Sequence, residues 1–403
     1  MPNSRTIEVL PTIDCCGCAV CADTCPQRCI SMKQMQDGFV YPVIEGNLCN
    51  NCGLCAKKCP VLNPVTNLPQ ETVHAVYAKS LNQRNSGSSG GVFGLLAEVV
   101  LNEGGKVWGA AFNEKLKLIH THASHKSDLM PLLKSKYIQS DLTDVYRQVL
   151  CDLKSGIYTL FCGTPCQCNA LKNYVGANAD KLLLVDFVCH GVPSQDLFDK
   201  TIDWYEKKYK VKVTSFTFRY KGKGVKHPQS YMCMHEGDLK PHVGLHYQFP
   251  YYFGFQKYIT LRSSCYSCKW ASLSRPGDLT LGDFWGIEKY SKSFHTSEGV
   301  SMVITNTQKG RDFFNGVINT GQLIGEELPI ECAVSNNGCL SAPSKLKLER
   351  EQFLKDIQTI PFDQVVRKYL TPRKKWIFDL YYAIPTFLRK IVRRIMDKRM
   401  KYE

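Results

Sequence analysis

Apolar positions along this chain follow two periods. Short, nearly unbroken apolar runs predict buried strands at residues 73–78, 106–112, 157–161, 181–188 and 300–306. Helical spacing of apolar residues predicts helices at 92–101 and 195–209, another opening at Gly310, and a charged one over 343–356 that closes the globular part. Residues 214–220 alternate apolar and polar. So do 230–235, and a basic loop with Gly222, Gly224 and Pro228 joins the two as a hairpin. Strand followed by helix, several times over, predicts an α/β sheet.

The first sixty residues have a different grammar. Two short strands, 30–33 and 39–44, flank the turn residues Asp37-Gly38. Around them eight cysteines form two copies of C-x2-C-x2-C-x3-C-P: Cys15, Cys18, Cys21 and Cys25 before Pro26, and Cys49, Cys52, Cys55 and Cys59 before Pro60. This is the ligand run of a protein holding two [4Fe–4S] clusters, in which the fourth cysteine of each run serves the other cluster. One cluster is then held by Cys15, Cys18, Cys21 and Cys59, the second by Cys49, Cys52, Cys55 and Cys25. So short a domain buries too little apolar surface to fold without its metal. Cys16 and Cys29 fall outside the pattern and read as small buried residues. Residues 63–70, with Pro64 and Pro69, read as a linker.

Composition sharpens this. The chain has 403 residues and 20 cysteines. Residues 1–10 lack the basic start and apolar run of a secretory signal, so a reducing, cytoplasmic setting is expected and the thiols point to metal rather than disulfides. No stretch reaches the ~20 apolar residues of a membrane span. The net charge of +15 is uneven: from Arg367 onward twelve basic residues stand against three acidic ones, leaving +9 there. Such a tail argues against a nucleic-acid-binding core. Its aromatic residues, then Leu388, Ile391, Val392 and Ile395 among Arg and Lys, make a basic amphipathic helix suited to peripheral contact with an anionic membrane through 366–403.

Two strand–turn–helix units carry cysteines in their turns. Cys162-Gly-Thr-Pro-Cys166-Gln follows one strand, with Thr164 as N-cap and Pro165 at the first helical position. Cys189-His-Gly-Val-Pro-Ser194 follows the next. Both Cys166 and Cys189 therefore fall at the C-terminal ends of strands, where α/β sheets bind ligands. A third Cys-x2-Cys, Cys265 and Cys268, supplies two more thiolates. Four thiolates suit an iron–sulfur cluster and a zinc site equally by count. The loop Ser86-Gly-Ser-Ser-Gly-Gly91, opening a helix, is a natural seat for a phosphate. Lys134, Lys136 and Tyr137 are candidates to contact an anionic cofactor. His120, His122 and His125 have no acidic or cysteine partner nearby in sequence, and His242 and His246 are separated by Val-Gly-Leu, a poor helix former, so neither group reads as a metal site.

Four stretches in this order resemble one family: Ser88-Ser-Gly-Gly91; Lys134-Ser-Lys-Tyr-Ile-Gln-Ser140; Gly163-Thr-Pro-Cys-Gln167 with Cys189-His-Gly-Val-Pro-Ser194; and Arg262-x2-Cys-x2-Cys268 with Gly282-Asp-Phe-Trp-Gly286. Over residues 70–310 the chain resembles the coenzyme F-420 hydrogenase/dehydrogenase beta-subunit family, and the tail resembles bacterial members linked to polysaccharide biosynthesis. The resemblance implies an FAD-binding domain with a third [4Fe–4S] cluster on Cys166, Cys189, Cys265 and Cys268, and flavin near Ser88, Ser89, Gly90, Gly91, Lys136 and Tyr137.

The expected fold class is α+β: a two-cluster bacterial-ferredoxin domain (1–66), a larger mixed α/β flavin-binding domain (70–365) and a basic amphipathic tail (366–403). The expected activity is that of an oxidoreductase. Electrons pass between a redox partner protein or small carrier, the clusters and, through FAD, an organic hydride acceptor or donor, deazaflavin-type or from a polysaccharide pathway. The alternative is an electron-transfer subunit with no substrate site, docking on a catalytic partner.

Overall fold

The computed structural model describes residues 5–221, 231–235, 242–294 and 299–384. The N-terminal unit holds one antiparallel hairpin, β1 (Ile30–Gln34) and β2 (Val40–Ile44), turned at Gly38 with φ +80°. Two five-residue helices, Val20–Thr24 and Leu54–Lys58, each carry the third cysteine of a run. The α+β class holds, with this small unit set on a larger mixed one.

The larger unit is built on eight strands: β3 (Thr72–Ala78), β4 (Lys106–Phe112), β5 (Leu118–Ala123), β6 (Thr159–Cys162), β7 (Leu182–Phe187) and, after a separate three-stranded sheet of β8 (Ser215–Thr217), β9 (Tyr231–His235) and β10 (His242–Leu245), β11 (Leu279–Asp283), β12 (Ser301–Thr305) and β13 (Leu323–Pro329). Their order is β13-β3-β12-β11-β7-β6-β4-β5. β4, β6, β7 and β11 are parallel neighbours, and β3 and β11 each pair antiparallel with β12. Five strands therefore run the same way and end at one edge.

The apolar runs explain the layers. Both faces of the central strands are buried, so successive residues serve opposite faces. Leu160, Leu183 and Val185 pack under helices Val92–Asn102 and Gln308–Asn319. Phe161, Leu182 and Leu184 pack with Trp108 under helices Val145–Lys154 and Pro165–Val175. A second core of Phe198, Phe216, Phe218, Tyr251 and Tyr252 lies under the three-stranded sheet. The expected hairpin of 214–220 with 230–235 is present as β8 paired with β9, its basic loop lying outside the described residues.

The packed body runs past Asp356. The charged helix is Glu349–Thr359, and a further helix, Phe362–Tyr369, buries Val365, Val366 and Tyr369. Asp356 accepts from Lys368 Nζ (2.6 Å) and the Tyr369 hydroxyl (2.7 Å), which ties the two helices together. The next helix, Lys375–Ala383, rests on Tyr247 through Phe378 and Tyr382. The positions Leu388 to Ile395 of the expected amphipathic helix lie outside the described residues. No helix among the described residues is long and apolar enough to cross a membrane.

Candidate functional site

The two cysteine runs fold onto each other. Cys18 lies within electrostatic reach of Cys21 and Cys59, and Cys21 within reach of Cys15 and Cys59. The fourth cysteine of the second run thus lies near the first three of the other, and Cys55 is also within reach of Cys21 and Cys59. Cys55 faces Cys52, while Cys25 Sγ lies 3.3 Å from Cys29 Sγ, which in turn faces Cys49. Burial pushes the thiols of Cys21, Cys55 and Cys59 up, and that of Cys29 to about 12. Crowded buried thiols of this kind suit a multiply charged metal group, which takes them as thiolates. The donor set therefore fits iron–sulfur clusters. Cys52 and its neighbours Asn50 and Asn51 are exposed, whereas Cys18 and Cys21 are buried.

The small unit is bound to the large one by its backbone neighbours. Asp23 accepts from the amides of Asp144 (2.9 Å) and Tyr146 (3.0 Å), so it caps the helix Val145–Lys154 from another part of the chain. Burial raises its pKa to about 6. Arg147 returns the contact to the carbonyls of Ala22 and Asp23. The linker is pinned as well: Val65 N donates to Asn169 Oδ1, and Asn67 bonds to the carbonyls of Arg275 and Gly277.

At the edge where five strands end lies a cavity of about 1440 Å³. Cys166 sits in the first turn of Pro165–Val175, behind Thr164 as expected; Gln167 Oε1 accepts from Thr164 N at 2.9 Å, and Thr164 Oγ1 lies 3.1 Å from Cys166 Sγ. Cys189 follows β7 and accepts from Gly191 N at 3.4 Å. Cys265 and Cys268 come from the turn Ser263–Ser267 and its end. Each of the four is within electrostatic reach of at least two others, and all four line the cavity. Burial pushes Cys265 up to about 12 and Cys189 up as well. Cys16 lines the same cavity beside Cys166, which links this group to the first cysteine run.

The Ser/Gly loop reaches the cavity with Gly87, Ser88, Ser89 and Gly91, followed by Val92, Phe93 and Gly94 of the helix it opens. The helix is capped by Gly91 at φ +79°, with no side-chain cap. Gly90 does not line the cavity. Its amide donates to Ser301 Oγ (2.9 Å), and a Cβ there would stand 2.5 Å from the Val76 carbonyl, so this glycine seats the loop on the sheet. Ser89 Oγ likewise donates inward, to Val300 O (2.7 Å). Ser88 Oγ accepts from Ser135 N (2.8 Å) and joins the loop to the Lys134–Tyr137 stretch. Lys134, Lys136 and Tyr137 all line the cavity. Lys136 Nζ donates to the carbonyls of Pro131 and Leu133, and burial holds its pKa down to about 7. The Tyr137 ring stands edge-on to Tyr252 and Phe218.

Several lining residues were not legible beforehand. Arg219 makes a two-pronged ion pair with Asp283, both contacts 2.8 Å, though the partners are far apart in sequence. Asp283 belongs to a quoted motif, but nothing in the pattern names its partner. His120 lines the cavity with Nδ1 on Ser140 Oγ (2.9 Å) and Nε2 on Cys162 O (3.1 Å), stacked on Phe161, and burial lowers its pKa to about 4. His122 turns away to Trp108. The lysines at 134, 136, 269 and 289 and Arg219 outnumber Asp14, Asp283 and Glu288, so the charged lining favours an anion. Among the described residues no three His, Cys, Asp or Glu side chains gather as tightly as a lone metal ion needs.

Comparison with known proteins adds the following. Residues 158–330 match the C-terminal part of the beta-subunit family described as coenzyme F420 hydrogenase/dehydrogenase. The ferredoxin-type protein NapF of Haemophilus influenzae is 39% identical over 69 residues, 16% of this chain and 39% of that protein's length. NapF of Escherichia coli K12 is 39% identical over 44 residues, covering 11% and 27%. The ketoisovalerate oxidoreductase subunit VorC of Methanothermobacter marburgensis is 32% identical over 63 residues, 15% of this chain and 80% of that protein. Among solved structures, a chain of the F420-reducing [NiFe] hydrogenase complex of Methanosarcina barkeri aligns with a TM-score of 0.44 at 14% identity, covering 73% of this chain and 91% of that one.

Proposed function

We propose, from the match of residues 158–330 to the coenzyme F420 hydrogenase/dehydrogenase beta-subunit family, that the chain is a member of that family and an iron–sulfur flavoprotein oxidoreductase exchanging electrons between an external carrier and an organic hydride acceptor or donor. One observation carries this reading: a single cavity is lined both by Cys166, Cys189, Cys265 and Cys268 and by the Ser/Gly loop with Lys134, Lys136 and Tyr137. When bound, iron–sulfur clusters supply single electrons, and a flavin joins these to two-electron hydride chemistry.

The residues would divide the work by position. Cys49, Cys52, Cys55 and Cys25 hold the group nearest solvent, because Cys52 is exposed. Cys15, Cys18, Cys21 and Cys59 hold the one facing the large unit. Cys166, Cys189, Cys265 and Cys268 hold the third, at the cavity wall. FAD phosphates are matched by the free amides of the first turn of Val92–Asn102 and by Lys134 and Lys136. The aromatic wall of Tyr137, Tyr252 and Phe255 keeps water from the reacting face. His120, neutral at working pH, holds Ser140 and the Cys162 carbonyl in place.

The test is anaerobic purification with iron, zinc and acid-released flavin measured together. About twelve irons and one FAD per chain support the proposal. About eight irons with no flavin would sink it in favour of an electron-transfer subunit without a substrate site. A Cys166→Ala variant should keep about eight of the twelve irons; unchanged iron would refute that ligand. We also propose that the tail docks peripherally on an anionic membrane, supported by its basic residues and by exposed Trp376 and Leu380.

A further inference from the structure

The loop of the first cysteine run is held from outside its own unit. Four successive carbonyls, of Cys15, Cys16, Gly17 and Cys18, accept hydrogen bonds from side chains of the larger unit. Arg262 Nε (2.7 Å) and Ser264 Oγ (3.1 Å) donate to Cys15 O. Gln139 Nε2 donates to Cys16 O and Gly17 O, 3.0 Å each, and the Tyr146 hydroxyl donates to Cys18 O at 2.9 Å. Gly17 has φ +67°, and a Cβ there would stand 2.5 Å from Gln139 Nε2 and 2.7 Å from Arg262 Cζ. Glycine is what allows these two side chains to close on the loop.

Arg262 is 0% exposed. Its other donors go to Gln139 Oε1 (3.1 Å) and Val40 O (2.6 Å), and its plane lies over the rings of Tyr41 (4.3 Å) and Phe39 (5.1 Å). No carboxylate is among these partners. A fully buried guanidinium matched only by neutral groups is costly unless a negative charge stands close. The buried neighbours able to carry one are the cysteine groups. Arg262 bonds the Cys15 carbonyl directly. Four thiolates around a four-iron core leave a net negative charge, which grows by one on reduction.

We propose that Arg262 is the built-in counter-charge of the cluster held by Cys15, Cys18, Cys21 and Cys59, and that it raises that cluster's reduction potential. Arg262 is thus a positioning and potential-setting residue. The inference rests on the cluster assignment of those four cysteines and not on the third cluster or the flavin. The physical basis is that net charge and hydrogen bonding near a cluster set its potential.

The test is an EPR-monitored potentiometric titration of the full chain, purified without oxygen and reduced with dithionite, with iron measured on every sample. In Arg262→Gln one cluster should become harder to reduce, its reduced-to-oxidised ratio at fixed potential falling about tenfold, or about 59 mV for one electron. Arg262→Lys, which keeps the charge, should stay within a few-fold of the wild type. Should Arg262→Gln lose iron, Gln139→Glu sets a carboxylate against the guanidinium and should move the same cluster in the same direction. Full iron with unmoved potentials in either variant overturns the inference, as does a Lys variant shifted as far as the Gln variant. A wild type lacking the iron of the two N-terminal clusters would instead refute the cluster assignment itself.

Discussion

Replacing Asp186 by asparagine should destabilise the sheet edge that carries the third cysteine group. Asp186 lies in β7, just before Cys189, and is 0% exposed; Arg275, which follows Cys268, is 1% exposed. Asp186 Oδ1 accepts from Arg275 Nη2 (2.8 Å), Arg275 Nε (3.2 Å) and Thr280 Oγ1 (2.7 Å), and Oδ2 accepts from Gly277 N (2.9 Å). The pair thus fastens the chain after Cys268 to the strand before Cys189. Asparagine keeps the shape, leaves Arg275 charged without its partner and turns an N–H₂ toward a donor. Breaking a buried pair from one side costs about 3–5 kcal/mol. At about 2 °C per kcal/mol for a large domain, the apparent Tm should fall by about 6–10 °C. The assay is anaerobic thermal unfolding by circular dichroism at one scan rate, with iron content as a control. A double variant, Asp186→Leu with Arg275→Met, should melt closer to the wild type than Asp186→Asn does, because a packed apolar pair often replaces a buried ion pair at little cost. A Tm for Asp186→Asn within about 2 °C of the wild type would show that the pair does not hold this edge.

Three other outcomes are expected. Gly17→Ala forces a strained backbone, about 1–2 kcal/mol for the left-handed region, and a contact with Arg262 and Gln139; about four irons should be lost, and full iron with normal stability would count against the described loop. Lys136 titrates at about 7 because it is buried, so its ammonium is present below that pH and lost above it. Sulfate, whose charge is constant here, should bind several-fold tighter at about pH 6 than at about pH 8.5 by calorimetry, and Lys136→Met should remove the difference; a retained difference assigns it elsewhere. Trp376→Ser with Leu380→Ser, or a chain ended at Tyr369, should reduce co-sedimentation with anionic vesicles, and equal binding by all three proteins would remove the membrane proposal.

The sequence was most explicit where chemistry constrains spacing. The two cysteine runs, the Thr164-Pro165 helix start and the turns bearing Cys166 and Cys189 could be read because each depends on neighbours a few residues away. The continuous apolar runs likewise announced strands buried on both faces. Less legible were features made by distant partners. The Arg219–Asp283 pair, the Asp23 cap and the clasp of Arg262 and Gln139 each join segments that only the sheet order brings together. Gly90 has a role the pattern did not announce. Its Gly/Ser context suggested a ligand contact, yet its missing side chain makes room for the protein's own strand. The charged helix was expected to close the body because polar residues dominate it, but the Val365 and Val366 face that follows is what the second core needed to finish its packing.

The cap that Asp23 places on a helix of the larger unit has a kinetic consequence. A domain fastened at a helix end, along a loop and through its linker cannot swing between donor and acceptor. Under the proposed function, transfer inside the chain should therefore be insensitive to solvent viscosity and to protein concentration. On the same proposal, the outside carrier would arrive at the exposed patch around Asn50, Asn51 and Cys52. The shape of that small surface, rather than the motion of the domain behind it, then decides which carriers are accepted.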